Sequence, residues 1–399
     1  MKSFKKKGRA AKILIFAILV VMLVFFGATH IQAFAETPEE ETMEELEKNI
    51  DELLASLDTK ELQNYLDTLA SFRGISLKEK LKSVITGDFA LDYSSLMSSL
   101  VGLVWEEAAI FLPAFAVILA VSLLCGILNS TKNGFLNSTM SDIIGFVGYI
   151  SVGAVVLSCL ISVLTAGFET IEAMRKQMEI IYPLLLTLMA ASGGSVSVGI
   201  YRPAVAFMSG GICELFVSAV LPTSVVVIVL AFIGNLSDSV RTEKLGDFFK
   251  SVSKWIIGLT LGLFSLFLTI QGLASAQYDG LSLRAVKYVI SGSVPLVGGF
   301  LSGGVELIVA GSALIKNALG AFSVFLLVGT IIRPLLLFAT LQLFLRLSAA
   351  ITETVGGKIP AFLSRLAGDT GYFVAGLLCV AFLYFLTLLL LICSSGVIF

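Results

Sequence analysis

Three charged residues lie well inside apolar runs of this sequence and are the first candidates for chemistry: Glu214, Glu306 and Arg333. A charge at the centre of a membrane helix costs at least ~2.5–3.5 kcal/mol, so such a residue is retained where it pairs or faces a water-filled path. We therefore predict that these three residues line a polar pathway or pair across a gate. The alternative is a structural ion pair, or a position at the membrane interface.

Other residues that carry catalysis are scarce. The single histidine, His30, lies in a segment that we expect to be removed, which leaves the mature chain without His-dependent nucleophilic or metal chemistry. The motifs GxxxxGK[ST], HExxH and GxSxG do not occur in the sequence. We predict a non-enzymatic protein without a cofactor or metal site, so that any ATP dependence must come from a partner. Five cysteines without CxxC spacing are interpreted as core residues: Cys125, Cys159, Cys213, Cys379 and Cys393.

Composition indicates that a membrane surrounds the elements that position these residues. Of 399 residues, 57% are apolar and 14% are charged, whereas soluble domains have about 25% charged residues. The formal net charge of −2 argues against nucleic acid as a main partner and leaves membrane lipid as the expected surrounding. We predict an all-α polytopic membrane protein with about seven to eight transmembrane helices. Its apolar spans lie near 107–128, 143–167, 180–200, 204–234, 255–276, 289–314, 321–345 and 371–396.

The first 35 residues have the three parts of a secretory signal. Six basic residues precede the apolar run 13–28, and Ala33-Phe34-Ala35 supplies the small-x-small pattern of a cleavage site. We predict a signal peptide over 1–35 that is cleaved after Ala35, with an uncleaved anchor helix as the alternative. Either arrangement places the next segment on the far side of the membrane.

Residues 36–100 differ in kind, with fifteen acidic and six basic residues. Leucines at helical spacing predict short amphipathic helices, and Ser76-Leu-Lys-Glu79 has the form of a capping box that opens one of them. We predict a small extracytoplasmic helical segment before a membrane domain over 101–399. Its helices could pack on the membrane domain, on a partner or on each other.

Glycine clusters have two interpretations. Small residues allow either unwound turns, as in discontinuous transporter helices, or close helix packing. Gly258 and Gly262, four residues apart, are interpreted as a helix-packing notch. Pro222 interrupts the stretch 204–234, which indicates one long kinked helix or a re-entrant pair. The clusters comprise Gly193, Gly194, Gly298, Gly299, Gly303 and Gly304.

The segment that follows Gln271 contains Asp279-Gly280, which predicts a turn, and then the basic residues Arg284 and Lys287. It could be an interfacial segment or a contact site for a cytoplasmic partner. Basic residues do not fix the orientation of the chain. With eight spans and the mature N-terminus outside, seven Lys/Arg fall in cytoplasmic loops and seven fall outside, so the positive-inside rule cannot decide.

Two segments carry a resemblance to a known family. They are 181–205 (IYPLLLTLMAASGGSVSVGIYRPAV) and 271–320, which contains QGLASAQYDGLSLRAVKYVISGSVPLVGG and SALIKNALG. Over 95–399 the sequence resembles stage III sporulation protein AE of endospore-forming bacteria. In the family pattern a lysine usually follows the proline of the late apolar span by three residues; here Leu337 follows Pro334, and Arg333 could supply the charge from the other side. The motif residues are Pro183, Gln271, Gly272, Asp279, Gly280, Lys287, Pro295, Lys316 and Asn317.

The resemblance implies a role in sporulation. The family belongs to a mother-cell set of membrane proteins that, with a forespore-made partner, form a channel or secretion-like complex across the two membranes around the forespore. This complex sustains forespore development after engulfment. The resemblance implies a permease-like subunit in the mother-cell membrane around the forespore, with a secretion-type ATPase and ring-forming subunits as partners. The residues leave open a stand-alone secondary transporter that uses intramembrane carboxylates.

Overall fold

A computed structural model describes most of the chain beyond the predicted signal peptide. It describes residues 40–68, 76–85, 93–130, 138–236, 242–293, 298–354 and 358–394, with side chains for 48–68, 76–85, 102–128, 143–234, 242–275, 307–354 and 358–394. The predicted cleavage site, Ala33 and Ala35, lies outside the described residues, as does Pro295.

Every regular element in the described ranges is a helix. Eleven are numbered here: α1 (Glu40–Ser56), α2 (Lys60–Thr68), α3 (Leu77–Ile85), α4 (Tyr93–Ser130), α5 (Ser138–Ala191), α6 (Ser195–Ala206), α7 (Leu221–Leu236), α8 (Glu243–Ser293), α9 (Gly298–Glu353), α10 (Ile359–Asp369) and α11 (Gly371–Cys393). Between α6 and α7 the chain stays helical through two π-helical turns, Phe207–Ile212 and Phe216–Val220, with one α-helical turn, Cys213–Leu215, between them.

Six helical stretches in the described ranges are long and apolar enough to cross a membrane. This confirms the prediction of an all-α polytopic membrane protein. The stretches are Gly102–Leu128, Ile143–Ala191, Ser195–Gly234, Glu243–Ser275, Leu307–Glu353 and Ile359–Cys393.

The six helices replace eight predicted spans because two predicted gaps lie inside helices. The gap 168–179 falls within α5 and the gap 315–320 within α9. The first gap is rich in Glu, Arg, Lys, Gln and Met, which end an apolar run but are good helix formers. As a result α5 has 54 residues, about 81 Å at 1.5 Å per residue, well beyond the ~30 Å of a bilayer core.

Contacts between described residues define one end of the bundle, here called the basic end. There the last turns of α4 and α7 meet the first turns of α5, α8 and α10, as shown by the contacts of Cys125 with Ile144, of Tyr149 with Phe232 and Phe362, and of Arg365 with Glu243. Six of the described Lys/Arg positions lie toward this end: Lys244, Lys250, Lys254, Arg346, Lys358 and Arg365.

Helices α1–α3, here called the cap, contact each other through the Lys82–Asp51 pair and the Leu77–Gln63 hydrogen bond, and they pack on the membrane-length helices α5 and α9. Six apolar side chains hold the cap together and on its support: Ile50, Leu54, Leu62, Leu66, Leu77 and Leu81 are buried. A Cβ at Gly311 of α9 would lie 2.9 Å from Leu53, so glycine permits the close approach of α1 there. Three arrangements were predicted for this segment. The structure shows two of them, packing on the membrane domain and packing of the cap helices on each other.

A polar contact joins the cap to the bundle. The amide Nε2 of Gln177 on α5 donates hydrogen bonds to Tyr65 Oη at 3.1 Å and to Thr330 Oγ1 at 2.6 Å. Burial raises the pKa of the Tyr65 phenol, and the hydrogen bond from Gln177 only partly opposes this. The phenol therefore stays neutral at physiological pH and marks the point where α2 meets the middle of α5 and α9.

Candidate functional site

Glu214 lies between the two π-helical turns, halfway along the helical stretch from α6 to α7. Because the backbone is helical throughout, the predicted stretch 204–234 belongs to one long helix and the re-entrant alternative is wrong. The second π turn ends two residues before Pro222. Proline has no backbone N–H to donate, and its ring needs a wider preceding turn. Single π turns inside α-helices occur frequently at functional sites.

The carboxylate of Glu214 faces a charged cluster on α5. Arg175 Nε lies 3.1 Å from Glu179 Oε1, and Arg175 Nη1 lies 3.8 Å from Glu172 Oε2 and 3.7 Å from Glu214 Oε2. Three carboxylates thus share one guanidinium, and all four side chains are 36–63% exposed. Exposed pairs contribute about 0–1 kcal/mol each, so the cluster adds little stability. It gives the outer face of the bundle a polar site at mid-length.

Arg333 also pairs across helices, with a residue that sequence analysis missed. Its Nε lies 2.8 Å from Oε1 of Glu107 on α4; the Glu107 side chain is 3% exposed and that of Arg333 is 68% exposed. Glu107 is the first residue of the predicted span 107–128 and was not singled out. Its position inside an apolar run of α4 is the signal that could have identified it.

Behind these charges, uncharged polar groups cross the interior of the bundle. Gln177, Tyr182, Cys213, Thr330 and Tyr384, here called the polar section, come from α5, the α-helical turn before the second π turn, α9 and α11. The rings of Tyr182 and Tyr384 are fully buried and meet edge to face with centroids 5.7 Å apart. Cys213 is buried in the same part of the bundle.

Two buried atoms of the polar section have no hydrogen-bond partner among the described residues, Gln177 Oε1 and Tyr384 Oη, whereas the Tyr182 hydroxyl faces the side chain of Thr387. Each such atom costs about 1–3 kcal/mol. Sequence reasoning missed both residues because neither carries a charge: Gln177 stands within the polar stretch 168–179 and Tyr384 stands singly in an apolar run. Their inward positions become visible only when α5 is packed against α9 and α11.

One of the predicted glycine clusters falls at a helix break. Gly193 adopts φ 90°, a backbone conformation that residues with a side chain rarely adopt, and it lies between α5 and α6. The other cluster begins at Gly298, the first residue of α9, and residues 294–297 of the predicted span 289–314 lie outside the described residues. Gly298, Gly299, Gly303, Gly304 and Glu306 belong to α9, but no side-chain surroundings are described for these positions.

The sequence prediction of a turn in α8 is wrong, because the backbone is α-helical through Asp279 and Gly280. Gly258 and Gly262 have nothing within 4 Å of a Cβ built on them, so the predicted packing notch meets no other helix among the described residues.

Other motif residues connect helices. Gln271 Nε2 donates to the carbonyl oxygen of Ile200 at 2.8 Å, and the hydroxyls of Tyr201 and Ser275 are 2.8 Å apart, which ties α8 to α6. A Cβ on Gly272 would lie 3.2 Å from Leu390 of α11. These residues therefore have a structural role. Pro183 lies inside α5, Lys316 and Asn317 lie in α9 with Lys316 fully buried, and the side chain of Lys287 is not described.

The fold and the polar groups define a multi-pass helical membrane protein with polar side chains held between long apolar helices. Comparison with known proteins identifies the family: the family model for stage III sporulation protein AE matches residues 75–396. The chain belongs to this family and so has a role in sporulation. It is 23% identical over 386 residues to stage III sporulation protein AE of Bacillus subtilis (strain 168), covering 95% of this chain and 97% of that protein. No solved structure matches the chain.

Proposed function

We propose that the protein is a permease-like membrane subunit of a channel or secretion-like complex between mother cell and forespore. Family membership supports a sporulation role, and six membrane-length helices support a multi-pass protein. The proposed location is the mother-cell membrane around the forespore.

The observation that carries the permease-like role is the position of the polar groups. Arg175 and Gln177 are two residues apart on α5, and Thr330 and Arg333 are three residues apart on α9, so the charged cluster, the polar section and the Arg333 pair occupy one level of the bundle. Glu214 joins that level between its two π turns. A protein that conducts polar cargo needs polar groups at one depth of an otherwise apolar bundle.

The proposal requires partners that supply energy and continuity. The sequence has no P-loop motif, so a separate secretion-type ATPase would drive transport. Ring-forming membrane subunits would continue the path outside the membrane, and a forespore-made partner would complete it across the second membrane.

The decisive experiment is affinity purification of a tagged copy from detergent-solubilised sporulating cells, followed by mass spectrometry. Recovery of an ATPase and ring-forming membrane proteins supports the subunit. Recovery of this chain alone, while a known membrane complex from the same cells stays intact, contradicts it.

The two candidate carboxylates are tested separately by spore counts. Glu214→Gln and Glu306→Gln should each lower the count if these carboxylates line the path. Glu61→Gln, which changes an exposed carboxylate of the cap, is the matched control. Wild-type counts from both test variants, with normal protein levels, would remove the carboxylates from the path and leave the subunit proposal to the purification result.

A stand-alone secondary transporter is the second candidate, and the π turns beside Glu214 favour it. Irregular helices next to an intramembrane carboxylate are typical of transporter binding sites. Ion-dependent uptake by the purified protein in liposomes would support this candidate, provided that Glu214→Gln abolishes the uptake and Glu61→Gln does not.

A further inference from the structure

A buried ion pair outside the charged cluster and the polar section joins α8 to the corner between α10 and α11. Lys250 Nζ lies 2.7 Å from Oδ1 of Asp369, the last residue of α10, and the two side chains are 12% and 8% exposed. The pair lies toward the basic end, inside the membrane-length stretches Glu243–Ser275 and Ile359–Cys393. Burying two charges can cost more free energy than their attraction returns, so an ionisable pair inside such stretches indicates a function.

The carboxylate of Asp369 is incompletely bonded. Its Oδ1 accepts from Lys250, whereas Oδ2 is buried and has no hydrogen-bond partner among the described residues. The neighbouring hydroxyl of Thr370 is engaged elsewhere, because it donates to a backbone carbonyl of α10 and accepts from Gln342 Nε2 at 3.3 Å. On α8, Ser253 Oγ lies one turn after Lys250 and is likewise buried without a described partner. The Asp369 Oδ2 atom is therefore an open position for a ligand.

A proton is the ligand that suits this position. A metal cation at Oδ2 would be repelled by the Lys250 ammonium, and an anion would be repelled by the carboxylate itself. A proton bound to Oδ2 neutralises the carboxylate. The ammonium must then leave the buried side, because its charge would have no partner there.

Lys250 has a second carboxylate to which it can move. Oδ1 of Asp247, one turn earlier on α8, lies 3.6 Å from Lys250 Nζ, and the Asp247 side chain is 74% exposed. The ammonium thus lies between a buried and an exposed carboxylate, at the end of a flexible four-carbon stem. The buried side is neutral in both arrangements: an ion pair with Asp369, or a protonated Asp369 with the ammonium on Asp247.

We propose that Asp369 is a proton-binding site and that proton binding moves Lys250 from Asp369 to Asp247. The proton comes from water and forms a bond to Oδ2, while Lys250 keeps its own proton, so the positive charge moves to the exposed side. Helix α8 then no longer holds the corner between α10 and α11 through this pair. Proton binding at Asp369 does not depend on the proposed role in a complex.

Other groups around the corner limit how far it is released. The charged or titratable side chains come from α8, α10 and α11: Asp247, Lys254, Arg365 and Tyr372. Helix α9 faces the corner with the uncharged Gln342. Arg365 Nη1 lies 2.9 Å from Glu243 Oε1, and this pair still joins α10 to α8 after proton binding. The movement is therefore confined to the α10–α11 corner.

Infrared difference spectroscopy of the purified full-length protein tests the site, because a protonated carboxyl group absorbs apart from a carboxylate. On transfer from mildly alkaline to mildly acidic buffer, we expect the wild type to gain the band of one buried carboxylic acid and Asp369→Asn to lack it. Asp58→Asn, which changes an exposed aspartate of the cap, is the matched control and should keep the band. If the wild type gains no band that Asp369→Asn removes, the proposal is overturned.

The coupling to Lys250 is tested by the pH at which the band is half formed. Lys250→Gln should move this pH upward, because the carboxylate loses its cation. Asp247→Asn should move it downward, because the ammonium loses its alternative partner. An unchanged pH in both variants overturns the proposal. Should Asp369→Asn fail to elute from size-exclusion chromatography like the wild type, Lys250→Gln still tests the site, since an unmoved band would belong to another carboxyl group.

Discussion

The ion pair between Arg333 and Glu107 should respond differently to the loss of each partner. Arg333→Gln leaves the buried Glu107 carboxylate uncompensated. For a fully buried pair this costs about 3–5 kcal/mol. Because Arg333 is 68% exposed on the outside of the bundle, the pair is buried on one side only, and we expect a loss of about 2 kcal/mol in unfolding free energy, as for a hydrogen bond to a charged group.

Glu107→Gln should cost less than about 1 kcal/mol, since the amide oxygen can still accept from the Arg333 guanidinium and no charge stays buried. The variants are compared by thermal unfolding in one detergent, with the monodisperse size-exclusion peak as the readout. The double variant should unfold near Glu107→Gln, because the destabilising buried charge is gone. An Arg333→Gln protein at least as stable as Glu107→Gln would refute the reasoning from burial.

Three further predictions concern packing and the polar section. Tyr65→Phe removes an acceptor of a buried amide and should speed limited proteolysis of the cap; an unchanged rate would contradict a role for that contact. Tyr384→Phe removes a buried hydroxyl that lacks a described partner and should stabilise the protein by up to about 1 kcal/mol in thermal unfolding, whereas a lower unfolding temperature would show that the hydroxyl is bonded. Gly320→Ala places a methyl group against α11 and should lower the yield of folded protein; Gly329→Ala, with nothing within 4 Å, is its control, and equal yields would count against tight packing.

Hydrophobic patterning predicted the class of fold because burial in lipid requires long apolar runs. It also located Glu214 and Arg333, since a charge in such a run is conspicuous. It failed at 168–179, where a polar patch was interpreted as a loop. Helix formation depends on backbone propensity and packing, and α5 continues through the patch because its residues favour helix.

The interior partners could not be predicted from one sequence. In the sequence, nothing distinguishes Glu107 and Gln177 from other polar residues. Their partners become apparent only when α4 is packed beside α9 and the cap beside α5. Gly258 shows the opposite failure: its spacing predicts a helix contact, yet the helix faces outward there. Spacing along a helix defines a face, but what covers that face depends on the arrangement of the other helices.

Stability does not account for the polar level of the bundle. The Arg175 pairs are exposed and contribute little, while the unpartnered atoms of Gln177 and Tyr384 are destabilising. Apolar side chains of similar size would give a more stable core. Buried polar groups that lower stability are favoured where a protein must admit water or polar cargo. For this reason the polar groups at this level support a permease-like role. Tyr65 joins the cap to this level, so under the proposed permease-like role the cap would lie beside the path.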